Sequence, residues 1–305
     1  MFTALIQMSL LVACGSFWKS HAPAHISALA HRRAITDLVF FLLLPAMVLD
    51  VVWRAPLGQS SIQISVLAIS GVITGLVVMK TVLRFIKTEN AQTGALLLAA
   101  AFPNATYLGL PVLDKVIGPS TRVTVIQYDL FACTPILLSF GMLLARYYGS
   151  NTPVAHPVKE LTKVPPLWAV AIAVMLNLLE VPQPEILHTA LSTLAGGVVP
   201  LMLIVLGMSI RWQSLHFRFV PLLAPVIVIS LLVVPLAILV LSHLIELDTK
   251  LITEVVIIAA MPTMVFGVVI SERYELDSEL YAAAVTITTI CSLLTLPMWF
   301  HLLSN

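Results

Sequence analysis

The stretch Ala99-Ala-Ala-Phe102-Pro103-Asn104-Ala105-Thr106-Tyr-Leu-Gly109-Leu-Pro111 puts an amide, a hydroxyl and helix-disrupting residues inside an apolar segment running from about Gln92 to Ile117. That segment is long enough to span a bilayer. Proline donates no backbone hydrogen bond and its ring clashes with the preceding turn, so a break is predicted at Pro103. In hydrocarbon, unwound backbone is tolerated only where it is buried in protein or lines a wet cavity. Asn104 carries an amide that both donates and accepts. A half-helix starting beyond it presents N–H groups and a positive dipole end. This chemistry suits an anion, with Thr106 as a second donor and Gly109 helping the chain to break. A kinked helix in a bundle is the plainer alternative.

The remaining composition sets the class. Of 305 residues, 59% are hydrophobic and 10% charged, and the mean hydropathy is +1.02, as in a polytopic membrane protein. Cys14, Cys133 and Cys291 all fall in apolar runs, so neither a disulfide framework nor a metal site is implied.

Apolar periodicity predicts ten transmembrane helices. They lie at about 1–18, 35–53, 62–83, 92–117, 121–144, 165–179, 187–210, 219–245, 251–274 and 278–302, with a polar linker at 146–164. Positive charge follows the first apolar run instead of preceding it, which favours a retained helix over a signal peptide. Alternating the loops puts twelve of the sixteen Lys and Arg residues on one side and leaves Arg54, Lys115, Arg122 and Lys250 on the other. Basic residues gather in the cytoplasm, so both termini are expected outside.

The halves also match. Pro45 and Pro200 are 155 positions apart, Pro103 and Pro262 are 159 apart, and Pro135 and Pro297 are 162 apart. Phe-Pro103-Asn104 with Gly109 corresponds to Met-Pro262-Thr263 with Gly267. Five helices per half is an odd number, so the second repeat is inverted. Residues 1–145 and 165–305 then form two inverted five-helix repeats with broken, crossing helices 4 and 9, an architecture that secondary transporters use to bind substrate near the midplane.

These residues carry a family resemblance over essentially the whole chain. Phe-Pro103-Asn104-Ala-Thr106-Tyr-Leu-Gly109-Leu-Pro111, Leu-Leu-Leu-Pro45-Ala-Met and Ala-Met-Pro262-Thr263 resemble the auxin efflux carrier family, which includes plant carriers and bacterial malonate or malate permeases. The resemblance implies a fold related to the bile acid:sodium symporters. Scaffold helices 1, 2, 6 and 7 would support moving transport helices 3–5 and 8–10, and a homodimer would form through the scaffold. Where the plant carriers have Asn-Pro-Asn-Thr at the helix-4 break, this chain has Phe102-Pro103-Asn104-Ala105. The carry-over is therefore limited to Pro103, Asn104 and the opposing Pro262. The short linker resembles that of a bacterial relative, which implies a multi-pass protein of the cell membrane, the inner membrane in bacteria.

Asp129, roughly nine residues into helix 5, is about 12 Å from the helix start at ~1.5 Å per residue. An ionisable group at that depth is a functional candidate, here for coupling to a proton or sodium ion. A packing carboxylate is the plainer reading. Lys80 can snorkel to the interface. Asp37 and Glu254 are placed where a helix dipole favours an acid, Asp50 and Asp114 near outer helix ends in water, and Asn177 as interhelical glue. His21 and His25 are separated by Pro23, against a helical metal pair.

Catalytic motifs such as H-E-x-x-H, G-x-S-x-G and the phosphate-binding loop are missing, and no basic soluble patch is present. The expectation is a secondary transporter with no cofactor and no nucleic-acid partner. It would bind a small organic anion, a carboxylate, between Pro103-Asn104 and Pro262-Thr263 and move it by an elevator-type step. The rival is a membrane-embedded ligand sensor on the same fold.

Overall fold

The computed structural model describes residues 2–21, 23, 26–149, 162–209 and 219–304, with side chains from residue 10 onward. Most of the expected linker at 146–164, with His25, Lys159, Arg211 and Arg218, lies outside the described residues. The described residues form helices joined by turns and short connections, with no strand among them and one isolated two-residue bridge.

In chain order the helices are α1 (Phe2–His21), α2 (Ala28–Trp53), α3 (Gln59–Val82), α4 (Asn90–Ala101), α5 (Leu110–Val116) and α6 (Thr121–Tyr148). They continue as α7 (Pro165–Leu178), α8 (Glu185–Ser209), α9 (Val220–Leu244), α10 (Thr249–Ala259), α11 (Gly267–Arg273) and α12 (Ser278–Ser304). Six of them, α2, α3, α6, α8, α9 and α12, are long and apolar enough to cross a membrane. Helix α2 starts seven residues before its expected limit because Ser27 Oγ accepts the Ala30 N–H and caps an amphipathic first part carrying Arg32 and Arg33. Asp37 therefore lies mid-helix, away from the dipole end expected to hold it.

Most prolines do not break their helices. Pro45, Pro111, Pro135 and Pro235 each follow, by two residues, the end of a π-turn: Val39–Leu43, Ala105–Gly109, Asp129–Cys133 and Ile229–Val233. A helical proline ring collides with the carbonyl four residues back, and a wider turn moves that carbonyl aside. Accordingly the N–H groups of Leu44, Thr134 and Val234 bond to carbonyls five residues back. The Leu231 carbonyl, which Pro235 leaves without a helical donor, accepts Trp299 Nε1 at 2.8 Å. A further π-turn, Leu137–Gly141, precedes no such proline, and nothing in the structure explains it.

The chain divides into two compact units. The first is drawn from Met1–Gln59, Thr106–Ile126 and Val158–Ser209, and so holds α1, α2, α5, α7 and α8. In it, α1 and α8 cross at Gly15 and Gly207, each so close to a carbonyl of the other helix that a Cβ would overlap it. Asn177 Nδ2 reaches the carbonyls of Trp53 and Ala55 at 2.8 Å and closes the C-terminal end of α2. Asp50 and Asp114 are not left to water as the sequence suggests. Asp50 is buried against Arg54 at 3.2 Å and His188 at 2.6 Å, and Asp114 takes Arg122 at 2.5 and 3.2 Å.

The second unit is drawn from Ser60–Ala105, Gln127–Pro157 and Ile210–Asn305, and holds α3, α4, most of α6, and α9 to α12. Helix α3 exposes Ile62, Ile69, Ile73 and Val77 on one face, as a lipid-facing helix does. By contrast, every residue of α4 from Thr93 to Ala101 is buried, and so is α10 from Glu254 to Ala259. Glu254 is thus a buried acid, five residues beyond the helix start, and not a residue of the solvated first turn.

Three helices end on an exposed glutamate in the left-handed region: Glu180, Glu246 and Glu275, at φ 53°, 51° and 54°. The residue after each closes the end by bonding to a carbonyl five back, Val181 to Leu176, Leu247 to Ser242 and Leu276 to Ser271. Glycine adopts this conformation without the Cβ penalty. Replacing each of these glutamates with glycine should stabilise the purified protein by about 1 kcal/mol per site, read as a higher melting temperature in detergent; a lower one would contradict the left-handed caps.

Candidate functional site

The two interrupted helices of the second unit meet at their breaks. Helix α4 stops at Ala101 because Phe102, ahead of a proline, is extended (φ −112°, ψ 108°). Helix α10 stops at Ala259, and α11 resumes only at Gly267. Between them Pro103 and Thr263 form an antiparallel bridge. The Asn104 N–H donates to the Pro262 carbonyl at 2.7 Å, and the Met264 N–H donates to the Phe102 carbonyl at 3.0 Å. Each break therefore pairs the backbone that the other exposes, as a low-dielectric interior requires.

Side chains complete the pairing. Pro103 cannot donate to the Ala99 carbonyl, and Thr263 Oγ1 does so instead, at 2.8 Å. The Thr263 N–H in turn donates to Thr288 Oγ1 at 3.1 Å, and the Tyr281 hydroxyl donates to the Met264 carbonyl at 3.0 Å, both from α12. Gly267 is required for close approach, since a Cβ there would overlap the Tyr281 hydroxyl. Gly109 is different. It sits at the end of the π-turn in ordinary helical conformation (φ −61°, ψ −46°), so the break draws no conformational freedom from it.

The structure thus brings together Pro103, Asn104, Pro262 and Thr263. Thr106 lies two residues beyond Asn104, buried in the π-turn Ala105–Gly109. The N–H groups of Asn104, Thr263 and Met264 are engaged in the bridge and by Thr288. What remains open is the Asn104 side chain. It is 1% exposed, yet neither Nδ2 nor Oδ1 has a hydrogen-bond partner among the described residues. Leaving a buried amide unpaired costs about 1–3 kcal/mol, so such a group marks a place where a partner belongs.

Asp129 opens the π-turn of α6, buried, and accepts from Thr134 Oγ1 at 2.9 Å. Sequence reading missed the burial of Glu254, the other acid enclosed in this unit. The signal was present, since Glu254 lies within the apolar segment that ends at Pro262, but its nearness to the helix start disguised it. Among the described residues no group of three or more His, Cys, Asp or Glu could hold a metal.

Exchange of Thr263 for valine should strip the Ala99 carbonyl of its donor and lower stability by about 1–3 kcal/mol, whereas serine should keep most of it. Melting curves of the purified variants test this; equal stability of the valine and serine forms would show the hydroxyl to be dispensable.

The profile of the family described as "Membrane transport protein" matches residues 1–157 and 154–300. A curated relative from Methanothermobacter thermautotrophicus (strain ATCC 29096 / DSM 1053 / JCM 10044 / NBRC 100330 / Delta H), named an uncharacterized transporter, is 30% identical over 185 residues. That alignment covers 60% of this chain and 60% of the relative. With apolar membrane-length helices, a family match along nearly the whole chain and the Pro103-Asn104 motif in hand, the chain is a multi-pass membrane protein belonging to the membrane transport protein family, that of the auxin-efflux-type carriers.

Proposed function

We propose that this protein is a secondary transporter of a small organic anion, a mono- or dicarboxylate, with Asn104 as the principal contact. The observation that carries the reading is the Asn104 amide, buried and without a partner at the paired helix breaks. Nδ2 would donate to a substrate carboxylate. Oδ1 would accept from a neighbouring hydroxyl or a protonated carboxyl, so an amide open at both ends suits a hydroxy acid or half-protonated diacid. Pro103, Pro262 and Thr263 hold the break open as positioning residues, with Thr106 as a further hydroxyl near the substrate.

In this reading ten transmembrane helices form two inverted repeats, 1–145 and 165–305, joined by the cytoplasmic linker 146–164, with both termini outside the cell membrane. The transport helices 3–5 and 8–10 move against scaffold helices 1, 2, 6 and 7 in an elevator-type step, and the scaffold pairs two copies. That α3, α4, most of α6 and α9 to α12 form one compact unit supports a body that moves as a whole, although α5, the second part of helix 4, clusters with α1 and α8. Asp129 is the proposed coupling group for a proton or sodium ion.

Uptake of labelled malonate and malate into proteoliposomes under imposed proton or sodium gradients tests the proposal. Asn104→Ala should reduce saturable uptake at least about tenfold, the loss of one charge-assisted hydrogen bond, while eluting as the wild type does on gel filtration. Asp129→Asn should abolish gradient-driven accumulation and leave binding in place. Unchanged uptake by Asn104→Ala would remove the site, and saturable binding without any flux would favour the sensor.

A further inference from the structure

A second site lies away from the helix breaks, at the end of α3 in the second unit. A cavity of about 350 Å³ is lined by Lys80, Arg84, Lys87, Thr88, Asn90 and Tyr148. Its wall is built. Gly94 of α4 admits Tyr148, since a Cβ there would stand 2.7 Å from the Tyr148 Cβ. The Lys80 ammonium is tied to the Tyr148 hydroxyl and stands 4.9 Å from the ring centroid. The acid closest in sequence does not neutralise these cations, because the Glu89 carboxylate turns onto the α4 backbone in a capping box.

The surroundings identify the ligand. Lys80 sits in the last turn of a 24-residue apolar helix, and Arg84 and Lys87 follow it directly, which is the depth of the lipid headgroups. Phe85, between them, is 85% exposed, as an aromatic side chain buried in the interface of a bilayer would be. The exposed aliphatic residues Ile69, Ile73 and Val77 recur every four positions along α3 and lead to the cavity. A free phosphate would need the cations alone; a phosphate carrying acyl chains would use the cations and the aliphatic stripe together.

We propose that this cavity seats the phosphate of an anionic phospholipid headgroup, whose acyl chains lie along the outer face of α3. Lys80, Arg84 and Lys87 supply the charge, and Thr88 and Asn90 the neutral hydrogen bonds.

The test is native mass spectrometry of the purified full chain titrated with phosphatidylglycerol or phosphatidylcholine. The wild type should retain phosphatidylglycerol in clear preference. The triple substitution Lys80→Gln, Arg84→Gln, Lys87→Gln should weaken that binding roughly 100-fold, about fivefold for each cation removed. Lys80→Arg, Arg84→Lys, Lys87→Arg should keep it, and so should Lys115→Gln with Lys250→Gln as a control for net charge. If the triple glutamine form does not purify, the single substitutions carry the same test at fivefold each. Equal retention of the two lipids by the wild type, or an undiminished preference in the glutamine forms, overturns the site. Displacement of phosphatidylglycerol by equimolar glycerol 3-phosphate would show a soluble phosphate site and overturn the lipid.

Discussion

Two hydrogen bonds, Asn104 N–H to the Pro262 carbonyl and Met264 N–H to the Phe102 carbonyl, hold the second unit together at its weakest point. A helix interrupted in hydrocarbon leaves main-chain groups with no water to turn to. One break alone would be untenable; two breaks facing each other become a short antiparallel ladder. The rest of the unit follows from that pairing. The parts of α4 and α10 that lead to the breaks, Thr93–Ala101 and Glu254–Ala259, are buried because their ends must meet inside protein. Helix α12 must run beside them, since Thr288 and Tyr281 complete the polar contacts, and Gly267 must be small to let Tyr281 in.

Hydroxyl groups are common in this unit, and several donate within their own helices. Thr286, Thr289 and Ser230 each donate to a carbonyl four residues back in their own helix, at 2.7–2.9 Å. A side chain engaged in that way has spent its donor in its own helix and can offer a ligand only an acceptor, as Thr288 does to the Thr263 N–H. Asn104 differs because it stands in the break between α4 and the π-turn Ala105–Gly109, and neither atom of its amide finds a hydrogen-bond partner among the described residues. Its open valences are a by-product of where the chain unwinds.

The breaks were legible because Pro103 and Pro262 each stand mid-span with a polar residue behind, at matching depth. Pro45, Pro135 and Pro235 also stand mid-span, but each is followed by an apolar residue, Ala46, Ile136 or Leu236, and is accommodated by a π-turn. The polar residue after the proline marks the two breaks in the sequence, but that each break finds a second unwound backbone to pair with is a property of the fold. Thr263 shows the same limit. Its hydroxyl looks like a ligand contact in sequence and acts in the structure as a substitute donor for a proline 160 positions away. The extra turns at the start of α2 were hidden by charge, since Arg32 and Arg33 read as a loop until Ser27 is recognised as a cap. Pairing of Asp50 with His188 spans 138 positions and leaves no local trace.

The bridge between Pro103 and Thr263 is made of main-chain atoms, and this separates shape from chemistry. Every amino acid except proline brings the same N–H to position 104, so the bond to the Pro262 carbonyl does not depend on which side chain stands there. The Asn104 amide contributes nothing to that bond and has no other structural duty. Selection can therefore rewrite the group presented at this point by single codon changes, asparagine to serine or aspartate for instance, while the crossing itself persists. A fold of this kind keeps its architecture constant and leaves its specificity free to drift.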